Sequence, residues 1–160
     1  MSTFEHGPRI AHGPDIGGAP GGEGSIEIPE IVAQRVDFLK QHDPLLTIGA
    51  AAGSGSTSVA YDCRFRDETP RILKVSKMSE GIAGAEVYAL NTLLGVTGIP
   101  RLAKVYEQNG INIALVVEKI TGTEVKDYIA GRKEGIVDVF VKIRAVIEEV
   151  HRHGFLMPRD

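Results

Sequence analysis

With 160 residues, 42% of them hydrophobic and 24% charged, the chain has material for one packed domain and too little for two large ones. A formal net charge of -3 gives no reason to expect nucleic acid or an anionic membrane as partner, and a small ligand or a protein is the expectation. Cys63 is the only cysteine, which excludes an intrachain disulfide and a cysteine-built zinc site, and no apolar run reaches the roughly 18 residues of a spanning helix, so the chain reads as soluble and cytoplasmic.

Residues 1–25 are dominated by Gly and Pro with hardly any large apolar side chain, and such a segment cannot offset the entropy of being ordered. They read as a tail. Pro29 then opens a stretch in which Ile31, Val32, Val36 and Leu39 recur at helical spacing, predicting a short helix within residues 26–43 that ends before Pro44. Beyond it the period shortens, and strands are expected at 45–48, 58–64, 71–76, 102–107 and 111–117. Asn109-Gly110 lies between the last two, and this pair suits the left-handed dihedrals of a two-residue hairpin turn. One interruption breaks the meander, between Lys77 and Thr97, where Ala83, Val87, Leu90 and Leu94 mark a helical face. A last helix over residues 136–153 carries an apolar stripe from Ile136 through Phe140 and Ile147 to Val150, closed by Gly154. An α+β domain with five antiparallel strands and a helix after the third is the predicted core.

Gly53-Ser54-Gly55-Ser56-Thr57-Ser58 falls between two strand-like segments, where glycines let the backbone approach a ligand and turn its N–H groups toward phosphate oxygens. A plain Gly/Ser hairpin would carry the same letters. A Walker loop is excluded because no Lys precedes the final Ser or Thr, and a dinucleotide fingerprint is excluded because no helix follows. Lys74 stands inside the apolar strand Ile72-Leu73-Lys74-Val75, either as an edge lysine that discourages aggregation or as an inward charge that needs a partner. Glu86 is the candidate partner, three residues after Ala83 and four before Leu90 on the helix. A partly buried pair would cost roughly 3–5 kcal/mol to break from one side. His151 and His153 have no Cys or carboxylate beside them at ligand spacing and read as solvated histidines at a helix C-terminus, so no metal site is expected.

The order of these features, from Gly-rich hairpin through strand lysine and helix glutamate to a strand ending at Glu118 and a long helix leading to Arg159-Asp160, resembles the protein kinase family over roughly residues 45–160. The resemblance implies a kinase-like small lobe at 44–121 and the start of the large lobe at 122–160. It makes Gly53 and Gly55 the first two glycines of the phosphate-covering loop, with Ser54 and Ser56 beside them, Ser58 at the place of the third glycine and Ala60 where the family usually has Val over the adenine. Lys74 takes the role of the lysine that contacts the α- and β-phosphates of ATP, and Glu86 that of its helix partner. Leu115-Val116-Val117-Glu118-Lys119-Ile120 is similar to the hinge, with Val117 as gatekeeper, Glu118 and Ile120 at the adenine edge, and Glu124 near the ribose. His151-Arg152-His153-Gly154-Phe155-Leu156-Met157-Pro158-Arg159-Asp160 looks like the run into the catalytic loop, with Pro158 where His is usual and Asp160 as the residue that orients the substrate hydroxyl.

The family's magnesium-holding Asn and Asp-Phe-Gly are absent from the sequence; Asp37-Phe38 precedes the Gly-rich segment and cannot serve. Magnesium is therefore expected only in a longer parent protein. Two classes of function follow: the ATP-binding portion of a kinase whose parent phosphorylates protein Ser/Thr hydroxyls, or a catalytically inactive kinase-like module that engages a protein partner. A small-molecule phosphotransferase shares the same lobe. For the chain as given, weak nucleotide binding and little phosphoryl transfer are expected.

Overall fold

The computed structural model describes residues 25–123, 125–131 and 135–155. Among them the elements run α1 (Glu30–His42), β1 (Thr47–Ser54), β2 (Ser58–Arg64), β3 (Pro70–Ser76), α2 (Gly84–Thr92), β4 (Leu102–Gln108), β5 (Ile111–Glu118), α3 (Val125–Gly131) and α4 (Ile136–Arg152). The strands form one antiparallel sheet in the order β1-β2-β3-β5-β4. The fold is α+β, with five strands and a helix after the third, as the periodicities predict.

Alternation along the strands gives the sheet two distinct faces. One carries Val59, Tyr61, Cys63, Leu73, Val75, Tyr106, Ala114 and Val116, and α1 lays Val32, Val36 and Leu39 against it to close the main core. The other carries Ala60, Lys74 and Leu115 in one row across β2, β3 and β5. There a smaller cluster of Ile82, Leu115 and Val117 takes in Val87 and Leu90 from α2. At the β4–β5 turn Asn109 and Gly110 adopt φ of 53° and 76°, the pair of left-handed dihedrals that a two-residue hairpin requires.

Asp43 fastens the C-terminal end of α1 to β4. Its carboxylate accepts from Lys104 Nζ at 2.6 Å, from Tyr106 Oη at 2.6 Å and from the Leu45 N–H at 3.1 Å. Burial pushes the Asp43 carboxyl upward, and these hydrogen bonds outweigh it, leaving the group below its ordinary carboxylate value. Burial, then the bond to Asp43, drives the Tyr106 phenol strongly upward. Cys63 sits within the same core, where burial raises its thiol to about 11 and leaves it protonated and unreactive at neutral pH.

Three boundaries differ from the sequence reading. β1 runs to Ser54 instead of stopping near residue 48, because pairing with β2 carries the Gly- and Ala-rich stretch through residue 54 despite its low strand propensity. α2 occupies only Gly84–Thr92, and Leu94 lies beyond its end with 61% exposure. α3 was not anticipated, since Val125 and Ile129 are its only large aliphatic residues and both stay exposed. The last helix buries Val150 alone, while Val137, Phe140 and Val141 face outward. Among the described residues no helix is long and apolar enough to cross a membrane.

Candidate functional site

Lys74 lies mid-strand on the face away from α1, opposite Ala60 on β2 and Leu115 on β5. Glu86 occupies the first turn of α2, where the helix dipole favours a carboxylate. Their side chains meet in an ion pair, Lys74 Nζ donating to Glu86 Oε1. Both are about one-third exposed, 33% and 36%, so the pair is partly buried, as the sequence reading has it, but too open to solvent for the roughly 3–5 kcal/mol of a desolvated pair. Each charge retains water, and breaking the pair should cost nearer to a surface salt bridge, up to about 1 kcal/mol.

The pair opens onto a cleft of ≈ 370 Å³ lined by Thr57 and Ser58 of the Gly-rich hairpin, Ser76 at the end of β3, Glu80, and the residues that begin α2. One ammonium and several hydroxyls converge there, a donor set suited to phosphate oxygens. Gly53 pairs with Ala60 and so shares the row of Lys74, with open space where a Cβ would stand. Ser54 and Gly55 are held from behind: Lys77 Nζ donates to Ser54 Oγ at 2.7 Å and to the Gly55 carbonyl at 2.6 Å, and the Lys77 N–H donates to the Thr57 carbonyl at 2.8 Å. Ser56 is exposed at the hairpin tip. The sequence offered no pattern for Lys77; only the strand pairing puts it beside the hairpin.

At the far end of the same face, Val117 is buried with Leu115 and Ile82. Glu118 ends β5; its N–H donates to the Arg101 carbonyl at 2.8 Å and its carboxylate accepts the Arg101 N–H at 3.2 Å. Ile120 is exposed, and Lys119 reaches back to Asp62 on β2 at 2.6 Å. Lys74, Glu86, the hairpin, Ala60 and Val117 thus share one face of the sheet. Glu124 and Asp160 lie outside the described residues, as do Pro158 and Arg159. His153 is the C-cap of α4, its ring nitrogen 2.9 Å from the Glu149 carbonyl oxygen. A larger groove of ≈ 880 Å³ between the α2–β4 connection and α4 is lined by Leu94, Val96, Val146, Glu149 and His153, and contains none of the residues assigned to nucleotide.

A five-stranded antiparallel sheet with one helix after its third strand, a glycine-rich first hairpin and an ion pair between strand and helix defines a kinase-like fold. Among solved structures, that of the Cydia pomonella granulovirus kinase PK-1 matches 75% of this chain with a TM-score of 0.58 at 12% sequence identity. The chain spans 45% of the length of that structure. No protein-family model and no curated protein sequence matches the chain.

Proposed function

We propose that the cleft beside Lys74 binds ATP and that the chain is the nucleotide-binding portion of a protein kinase, whose whole protein transfers the γ-phosphoryl group to Ser/Thr hydroxyls. The Lys74–Glu86 ion pair facing the glycine-rich hairpin is the observation that carries this reading. In it, Glu86 orients the Lys74 ammonium toward the α- and β-phosphates, and the hairpin backbone from Gly53 to Ser58 covers them, with no bulky side chain in the way. Ala60, Val117 and the backbone of Glu118 and Ile120 bound the adenine, and Glu124 meets the ribose. ATP, when bound, supplies the transferable phosphoryl group, and Asp160 is assigned to orient the accepting hydroxyl. Among the described residues no three His, Cys, Asp or Glu side chains gather.

Isothermal titration with ATP tests the reading. Weak binding is expected, and Lys74→Met should lower the affinity about tenfold or more, the worth of one charge-assisted contact to phosphate. Equal affinity in the variant, or no binding by the parent chain, would overturn it. No binding would favour a kinase-like module that engages a protein partner.

A further inference from the structure

The two members of the ion pair are joined by a short connection that leaves β3 just after Lys74 and enters α2 just before Glu86, so the course of residues 76–82 decides whether the pair can form. That connection is gripped from two sides. Near its α2 end, the Ile82 N–H donates to the Asn112 carbonyl on β5 at 2.7 Å, and Gly81 sits so close that a Cβ there would stand 2.4 Å from the same oxygen. At its β3 end the grip comes from α1. Arg35, 6% exposed, reaches the end of the central strand β3 and donates from Nη1 to the carbonyls of Ser76 at 2.7 Å and Met78 at 2.8 Å, and from Nη2 to that of Ser79 at 3.2 Å. A buried guanidinium is costly unless its donors are used, and here the carbonyls of the connection use them.

We infer that Arg35 is a positioning residue for the Lys74–Glu86 pair: α1, on the opposite face of the sheet, sets where α2 begins through a three-carbonyl clamp on the β3–α2 connection. The planar fork of Arg suits three acceptors fixed in space, and Lys would satisfy fewer of them. α1 has a second anchor, Asp43 on Lys104 and Tyr106, just past its C-terminal end and bonded to β4 and not to the connection. Loss of either anchor loosens α1; loss of the Arg35 clamp alone frees the start of α2. The inference takes from the proposed function only the use of the pair for nucleotide.

Two spin labels, at Asn91→Cys on the exposed side of α2 and Thr47→Cys at the start of β1, in a Cys63→Ala background, report the position of α2 on the sheet. One narrow distance distribution is expected for the parent chain and for Asp43→Asn, and a broadened or displaced one for Arg35→Met. Should Arg35→Met fail to fold, Arg35→Lys carries the same comparison and should show a smaller broadening. An unchanged distribution in the Arg35 variant, or equal broadening in Asp43→Asn, overturns the inference. Titration with a fluorescent ATP analogue adds a second arm. If the clamp keeps α2 in place and its loss leaves the competent arrangement about one-tenth populated, affinity falls about tenfold in Arg35→Met and stays unchanged in Asp43→Asn. Absence of analogue binding by the parent chain would defeat the ATP reading while the label distances still decide the role of Arg35.

Discussion

On the face of the sheet covered by α1, Val32 and Leu39 are fully buried against Leu73, Val75 and Val116, whereas on the α2 face complete burial is confined to a few strand residues and α2 itself buries none. The first face is sealed by large side chains and by a buried acid with all its partners in place. The second holds a one-third exposed ion pair, a cleft, and a helix that packs through the partly buried Val87 and Leu90. A surface that must admit a ligand cannot also be packed shut. Stability is concentrated on one side and access on the other, and Arg35 is the side chain that crosses between them.

The sharpest way to break this contrast is to remove equal side chains from the two faces. Leu39→Ala should cost about 2–5 kcal/mol in denaturant unfolding, the range for a buried leucine in a tight core. Leu90→Ala, on the partly buried face of α2, should cost about 1 kcal/mol. Equal losses would mean that the α2 face is as closed as the other. Next in size is Gly81→Ala, where a side chain at φ +83° would also press on the Asn112 carbonyl. Backbone strain of about 1–3 kcal/mol is expected, read as a lower unfolding midpoint.

The Asp43 anchor gives a pH signature that belongs to the α1 face. Its pKa is lower folded than unfolded, so its contribution is fully present above the unfolded value of about 3.9 and disappears as pH falls through the folded value. Asp43→Asn should therefore lose about 1–3 kcal/mol at neutral pH and show a shallower loss of stability below about pH 4. A parallel pH profile for parent and variant would show that the carboxylate contributes nothing as a charge. Smallest of all is the effect of Lys74→Met on folding. It should stay within about 1 kcal/mol, because the pair is one-third exposed, even though the same change should remove most nucleotide affinity. A much larger loss would turn Lys74 from a ligand-facing group into a structural one.

Four of the five strands and the long α4 could be read from the sequence because their apolar residues recur at the period of the element they form, and Asn109-Gly110 announces its own turn. β1 was hidden by composition. Only Ile48 in Thr47–Ser54 is large and apolar, and the rest of the strand is held by main-chain pairing that side chains do not advertise. The end of α2 was hidden by context, since Leu94 keeps the helical spacing yet lies past Thr92 and is exposed. That Lys74 and Glu86 can approach each other followed from strand alternation and helix spacing, but their exposure depends on how closely α2 lies on the sheet. Arg35 gave no sign at all: one cation among the polar residues of a helix looks like surface until the carbonyls of another segment are found around it.

The small residues of β1 bear on how this protein meets its own copies. β1 is an outer strand of the sheet, and its pairing with β2 is broken by two irregularities, between Ile48 and Ala51 and between Ala51 and Gly53. Kinks of this kind twist an unpaired margin out of the flat shape that a second chain would need in order to add a strand. The glycines and alanines that keep the hairpin slim also leave little apolar surface to reward such addition. The same stretch that makes room for a ligand thereby guards the molecule against sheet-to-sheet aggregation along that border.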